Sequence, residues 1–274
     1  MNKLSIEQRV RIVSSLVEGM GVNATTRVTG VSKNTVLKLL RDLGTACEQY
    51  QREHVRDLTC RRVQCDEIWQ FCYSKQKNVP EKYRGMFGFG DVWTWVGIDA
   101  ETKLIVAWHL GRRDAGAARV FINRLAGRIK SRIQLTTDGH RAYLDAVDEA
   151  WATEVDYAML VKLYGAESES EVRYSPAKCV GTRRDAISGN PDPEHVSTSF
   201  VERQNLTMRM QIRRYTRLTN AHSKKLENHR YATALHFVWY NFVRIHQTLR
   251  CSPAMEAGID NHLWSMEELV SLAA

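Results

Sequence analysis

Apolar residues in the first fifty positions recur with helical period. Ile6, Val10, Val13 and Val17 fall on one face, Ser5 stands in the N-cap position with Gln8 three residues on as a capping-box partner, and Gly19 and Gly21 close the segment. Asn23 is read as the cap of a short second helix running through Val28. Gly30 then permits a turn, and Ser32 caps a third helix from Lys33 to Leu43, with Gly44 as its stop. In that third helix Val36, Leu39, Leu40 and Leu43 form the apolar stripe, which leaves Lys33, Asn34, Thr35, Lys38 and Arg41 on the outer side or at the N-terminal end. This order predicts a helix-turn-helix unit over residues 1–46, and residues 47–61 are expected to be a polar helix or linker.

Beyond residue 61 the period changes from helical to extended. Arg61 to Phe71 is rich in β-branched and aromatic residues, Trp93 to Ile98 and Leu104 to Leu110 flank a turn-like Asp99-Ala100-Glu101-Thr102-Lys103, and a fourth strand runs from Arg132 into Asp138-Gly139. Val155 to Val161 supplies a fifth. Helices are expected at Ala117 to Ile129, where Asp114 is the cap, and around Tyr143 to Trp151; Asp99 is read as a turn former. Residues 165–198 show little periodicity and are expected to be a long functional loop or partly disordered insertion. Helical pattern returns at Ser199 to Arg209 and again at Tyr231 to His246, where Leu235, Trp239, Phe242 and Val243 have core spacing. Residues 251–274 are left as a C-terminal tail without a role.

Charge narrows the picture. The 274 residues carry a formal net charge of +8, which favours a polyanionic partner but also suits many plain enzymes. Its distribution says more. Residues 1–46 hold seven Lys/Arg against three Asp/Glu, and residues 203–230 hold eight against Glu227 alone. So dense a cluster of one sign repels itself unless a polyanion spends time there, which marks Arg203, Arg213, Arg214, Arg217, Lys224 and Lys225 as candidate contacts to nucleic acid beside Lys33, Asn34, Thr35, Lys38 and Arg41. A basic loop from Ser74 to Gly90 could track a phosphate backbone or simply be solvated. The six cysteines form no CxxC pair, and neither a signal-peptide core nor a run of membrane-spanning length is present. These features predict a cytoplasmic, nucleoid-associated protein with reduced thiols.

The first strand carries Asp66 and Glu67 in its middle. Charge there needs a compensating cation, donor or metal. Asp138, at a strand's C-terminal end, and Glu202, at the start of a helix, are the suggested partners. Glu67 competes with Asp66, because a slip of one residue reverses which side chain faces the site. Strands, a helix, a strand ending in Asp and a later helix with Glu match a ribonuclease H-like arrangement: α/β, with a mixed five-stranded sheet over residues 62–250, preceded by an all-α helix-turn-helix domain. Three converging carboxylates repel one another unless divalent cations neutralise them, and an all-oxygen ligand set favours two Mg²⁺ or Mn²⁺ ions over zinc.

Asp66-Glu67-Ile68-Trp69, Thr137-Asp138-Gly139 and Glu202-Arg203-Gln204-Asn205-Leu206-Thr207-Met208-Arg209 together resemble the DDE transposases of bacterial insertion sequences, most closely the IS1 family. Arg217-Leu218-Thr219 and His222-Ser223-Lys224-Lys225 add to the likeness. The resemblance implies that Asp66, Asp138 and Glu202 are the catalytic, metal-holding triad and that Arg209 is the basic residue seven positions after the glutamate. It departs from that group in having no zinc-binding segment ahead of the helix-turn-helix, and in its long 165–198 insertion. What it implies is cleavage of double-stranded DNA at element ends and transfer of the freed 3′-hydroxyl to target DNA, by at least a dimer. The competing readings are a metal-dependent nuclease without strand transfer and a helix-turn-helix regulator with an inactive catalytic domain.

Overall fold

The computed structural model describes residues 4–165 and 179–273. Three helices open the chain: α1 (Ile6–Val17), α2 (Val22–Thr29) and α3 (Lys33–His54). Ser5 caps α1 through the reciprocal capping box with Gln8, and the Ser32 hydroxyl accepts the Thr35 amide at the start of α3. Gly21, not Asn23, occupies the N-cap of α2, and it contributes no side-chain bond. Gly19 lies at φ 86°, where a β-carbon would stand 2.6 Å from the carbonyl oxygen of Met210, so the turn after α1 closes onto the later part of the chain.

The third helix does not stop at Gly44. It continues to His54, so residues 47–54 of the expected polar helix or linker are helical and largely solvent-facing, with Cys47 and Gln51 buried against the core. Gly44 by itself predicts a stop, whereas its function here is close approach: an added β-carbon would lie 2.5 Å from Cβ of Tyr231 on a crossing helix. At the far end of α3, the Gln51 side chain accepts the Trp108 indole N–H at 2.7 Å. One contiguous apolar core therefore runs from Ile12 and Leu40 in the N-terminal helices into the sheet.

The sheet is built from β1 (Arg62–Cys72), β2 (Gly90–Asp99), β3 (Ile105–Gly111), β4 (Ile133–Asp138), β5 (Val155–Tyr164) and β6 (Cys179–Ser188), in the order β3-β2-β1-β4-β5-β6. The β1/β4 and β4/β5 pairs are parallel and the others antiparallel. Helices α4 (Ala115–Ala126, capped by Asp114) and α5 (Ala142–Trp151) cover one face, where Trp95 meets Phe121 and Tyr143. Asp99 forms its expected turn, accepting from the Glu101 amide and the Thr102 hydroxyl.

A sixth strand is the main correction to the expected sheet. Residues 179–188 pair with β5 where the sequence reading had only a loop; residues 166–178 of that segment lie outside the described residues. The strand has no hydrophobic alternation because both its faces are largely exposed at the sheet edge, so it carries no period-two signal. Then follow α6 (Ser199–Gln211), α7 (Leu226–Val238), which continues into a wider turn at Trp239–Val243, and two short helices, α8 (Pro253–Glu256) and α9 (Met266–Ser271). The C-terminal segment is not a free tail. Leu269 and Val270 are buried, and Arg9 of α1 donates to the Ala273 carbonyl.

Candidate metal centre

Alternation along β1 sorts its polar residues. Gln64, Asp66 and Gln70 face α6 and the segment after it: the Gln64 side chain accepts the amides of Phe200 and Val201 at 2.8 and 3.3 Å, and that of Gln70 donates to the Arg214 carbonyl. Gln64 thereby satisfies two N–H groups left without partners at the start of α6 and fixes where that helix begins. Asp66 accepts its neighbour's amide, from Glu67, at 2.8 Å and the Asn205 side chain at 2.9 Å. Pairing of β1 with β4 brings Asp138 alongside, and the next pairing brings Leu160 and then Lys162 of β5.

Asp66, Asp138 and Glu202 line a single cleft of about 480 Å³, together with Arg113, His140 and Lys162. All three carboxylates expected from the sequence thus share one cavity. They do not form one tight triad. The ligand oxygens that lie within 4.8 Å of one another belong to Asp66, Glu67 and Asp138. Glu202 is held at the cleft wall by Lys162, whose ammonium is 2.6 Å from its Oε1, and by the Thr198 hydroxyl.

Glu67 has its side chain fully covered, with Arg113 Nε 3.1 Å from Oε2 and no partner for Oε1. Arg113 also reaches Asp138 Oδ2 at 3.3 Å and lies 5.0 Å over the Trp93 ring. Asp138 is further fixed by the His140 amide, which donates to its Oδ1 at 2.9 Å.

Crowding leaves an electrostatic mark. Burial, then the Asp138 charge, push Asp66 up to about 7 in spite of its two hydrogen bonds. The same two causes, burial first, push Glu67 up to about 8 although Arg113 and the nearby Tyr143 hydroxyl pull it down. Carboxyls that resist ionisation because they are buried together are suited to a hard divalent cation, which supplies the charge that water no longer does.

The remaining expected residues divide. Arg209 does not line the cleft: its guanidinium donates to the Tyr215 carbonyl at 3.1 Å and the Trp69 carbonyl at 3.5 Å, bracing α6 against β1, and burial pulls its pKa down to about 10. Arg214 is likewise turned inward, donating to the Ser223 hydroxyl, and burial lowers its pKa. Both corrections have one cause. A guanidinium carries five N–H donors that carbonyl or hydroxyl oxygens inside the fold can satisfy, so a cation in a basic run need not face solvent.

Lys33, Asn34, Lys38, Arg41, Arg203, Arg213, Arg217, Lys224 and Lys225 are exposed, and Thr35 is half-buried, its hydroxyl bonded to that of Ser32. Lys38 and Arg41 both reach Asp42, at 2.8 and 3.0 Å. Lys33 shares with Arg213, Lys224 and Lys225 a groove of about 640 Å³ between the N-terminal helices and the segment after α6.

Arg113, Lys162, Gln64 and Asn205 were not singled out from the sequence. Two of them carry a signal in retrospect: Lys162 is the lone cation at the end of an apolar strand, and Gln64 and Gln70 repeat the polar alternation of Asp66. Arg113, one of an arginine pair ahead of a helix cap, carries none.

Residues 87–169 match a protein-family model described as a DDE domain, of the IS240 type. This span runs from just before β2 to beyond the end of β5 and includes Asp138, but neither Asp66 nor Glu202. No curated protein matches the sequence. Among solved structures, a piggyBac transposase synaptic complex with hairpin DNA is similar at 9% identity and a TM-score of 0.43, over 100% of this chain and 71% of that one. A Mos1 transposase paired-end complex with the left transposon end is similar at 14% identity and a TM-score of 0.23, over 54% of this chain and 58% of that one. The Mos1 strand transfer complex is similar at 12% identity and a TM-score of 0.26, over 85% and 77%.

Proposed function

We propose that this chain is a DDE transposase with a ribonuclease H-like catalytic unit over residues 62–250. It grips double-stranded DNA through a helix-turn-helix unit at residues 1–46, cuts phosphodiester bonds in the Asp66/Asp138/Glu202 cleft with divalent metal, and joins the freed 3′-hydroxyl to target DNA. One observation carries the reading: carboxylates from two adjacent parallel strands and one helix open into a single cleft. The DDE-domain match over the strand that bears Asp138 supports it. Within such transposases, the Glu202 to Arg209 and Arg217 to Lys225 motifs favour the IS1 group; the matched span contains neither motif.

Asp66 and Asp138 would hold the metal, with Glu202 joining once it leaves Lys162 and Glu67 backing the site from beneath. Bound Mg²⁺ or Mn²⁺ would lower the pKa of an attacking water or 3′-hydroxyl and stabilise the leaving oxygen. The protein's own groups prepare that position. Asn205 and the Glu67 amide fix both oxygens of Asp66, Arg113 and the His140 amide fix Asp138, and Gln64 sets the start of the helix that bears Glu202. Because Asp66 and Glu67 retain protons near neutrality, loading of the site should strengthen as pH rises. Exposed cations on α3 and along residues 203–225 would meet phosphates. Joining requires two DNA ends in one assembly, so at least a dimer acts on DNA.

The test is strand cleavage of supercoiled DNA and joining of a pre-cleaved 3′-hydroxyl end, with and without Mg²⁺. Asp66→Asn, Asp138→Asn and Glu202→Gln should each abolish both reactions while DNA affinity, carried by the cationic surfaces, stays within about 2-fold. Full nicking activity in any of the three removes that residue from the site, and cleavage without joining reduces the protein to a nuclease.

A further inference from the structure

The segment between β1 and β2 is built more firmly than a solvated loop requires. Tyr83 and Phe89 stack at 4.2 Å between ring centroids, with Tyr73 edge-on to both. The Gln76 side chain accepts the Asp91 amide at 3.0 Å, closing the base of the loop against β2. Gly85 and Gly88 take φ 79° and 96°, which only glycine adopts at little cost, and they bend the tip back on itself.

That tip presents Met86 and Phe87 to solvent, 52% and 38% exposed. Around them the loop carries Lys75, Lys77, Lys82 and Arg84 against Glu81 alone. The tip is also tied to the cleft. Arg112 donates to the Gly85 carbonyl and its guanidinium lies 6.0 Å from the Phe87 ring, while its own carbonyl accepts the Trp95 indole N–H at 3.0 Å. The next residue along the chain is Arg113, whose side chain enters the cleft and binds Asp138. A rigid, cationic, aromatic tip is therefore anchored one residue from the group that contacts the carboxylates.

We propose that Phe87, flanked by Met86, is a stacking platform for an unpaired DNA base next to the scissile position, and that Lys82 and Arg84 meet the phosphates on either side of it. The inference rests on the reading of the cleft as a DNA-cutting site. An intact duplex shows no base face to such a ring, so the occupant is a frayed, flipped or overhanging nucleotide. Aromatic rings bind any such base, because every base has a π face. A second copy of this chain fits the surface less well, since pairing two such tips sets their cationic flanks against each other.

The experiment uses full-length protein in EDTA with two fluorescein-labelled probes, a blunt duplex and the same duplex ending in a short overhang that carries aminopurine. Wild type should bind the overhang probe more tightly than the blunt one and quench the aminopurine. Phe87→Leu, which keeps an apolar side chain but no ring, should weaken overhang binding about 5- to 100-fold and remove the quench, with blunt-duplex affinity changed by less than about 2-fold. Phe87→Trp should restore both.

Equal weakening on both probes overturns the proposal, as does an unquenched aminopurine in the wild type. A Phe87→Leu effect seen only in sedimentation, as loss of self-association, would assign the tip to a protein contact instead. Failure of the cleft reading shows separately, as metal-dependent nicking that survives Asp66→Asn. Failure of the stacking platform leaves the dependence of nicking on Asp66 intact.

Discussion

Replacing Asp66 by Asn removes one negative charge from the cleft at nearly constant volume, and its effect on stability can be worked from the site. In the metal-free fold burial and the neighbouring Asp138 outweigh the bonds from Glu67 N–H and Asn205 and push Asp66 from the ordinary 3.8 up to about 7. The native state therefore binds the proton more tightly than the unfolded chain does. For a group of this kind stability is full below the unfolded value, falls as pH rises between the two values, and is level above the folded one. Between about pH 5 and pH 8 the fall should be about 3 kcal/mol.

Asn carries no such charge, so its curve lacks that fall. The substitution also leaves one of two donors facing an amide N–H, a loss of about 1–3 kcal/mol that does not vary with pH and cancels when the two pH values are compared. Urea unfolding of both proteins in EDTA should show wild type losing about 3 kcal/mol relative to Asp66→Asn over this interval; in thermal unfolding the same difference is about 6–12 °C in Tm for a chain of this size. Mg²⁺ should raise the wild-type midpoint more at the higher pH and leave the variant nearly unmoved. A relative change below about 1 kcal/mol, or equal stabilisation of both proteins by Mg²⁺, would refute the claim that crowding at a cation site sets the titration of Asp66.

Two further outcomes follow from particular contacts. Lys162→Met removes the cation that holds Glu202 at 2.6 Å; since the pair is about one-third exposed, Mn²⁺ affinity by calorimetry should tighten only about 3- to 5-fold, and weaker binding would mean that Lys162 helps to build the site. Gly44→Ala puts a β-carbon 2.5–2.8 Å from Tyr231 main-chain and Cβ atoms, so α3 and α7 must part; thermal unfolding should show a loss of about 2 kcal/mol or more despite alanine's better helix propensity, and a stabilised variant would contradict the close crossing.

Much of the architecture was legible because it rests on local periodicity. The Ser5 and Ser32 caps, the stripe of Val36, Leu39, Leu40 and Leu43, the Asp114 cap and the Asp99 turn each depend on neighbours within a few positions. The carboxylates were legible for a different reason: Asp66 in an apolar strand and Asp138 at a strand end are costly unless something compensates them, and cost is visible in a sequence. What was missed depended on neighbours far along the chain. Gly44 signals a stop by itself and a helix crossing only when Tyr231 lies against it. The β6 strand pairs through its backbone and exposes both faces, so its side chains record nothing.

The sequence by itself determined the helix and strand periods, the cationic stretches and the identity of the acidic residues, because each is a property of residues near one another in the chain. Only the tertiary structure decided which of those charges meet. It put Arg113 between Glu67 and Asp138, gave Glu202 to Lys162, and turned Arg209 and Arg214 inward onto carbonyl and hydroxyl oxygens. A buried charge takes whichever partner the packing brings within a few ångströms, and that separation is fixed by strand order and helix crossing rather than by distance along the chain.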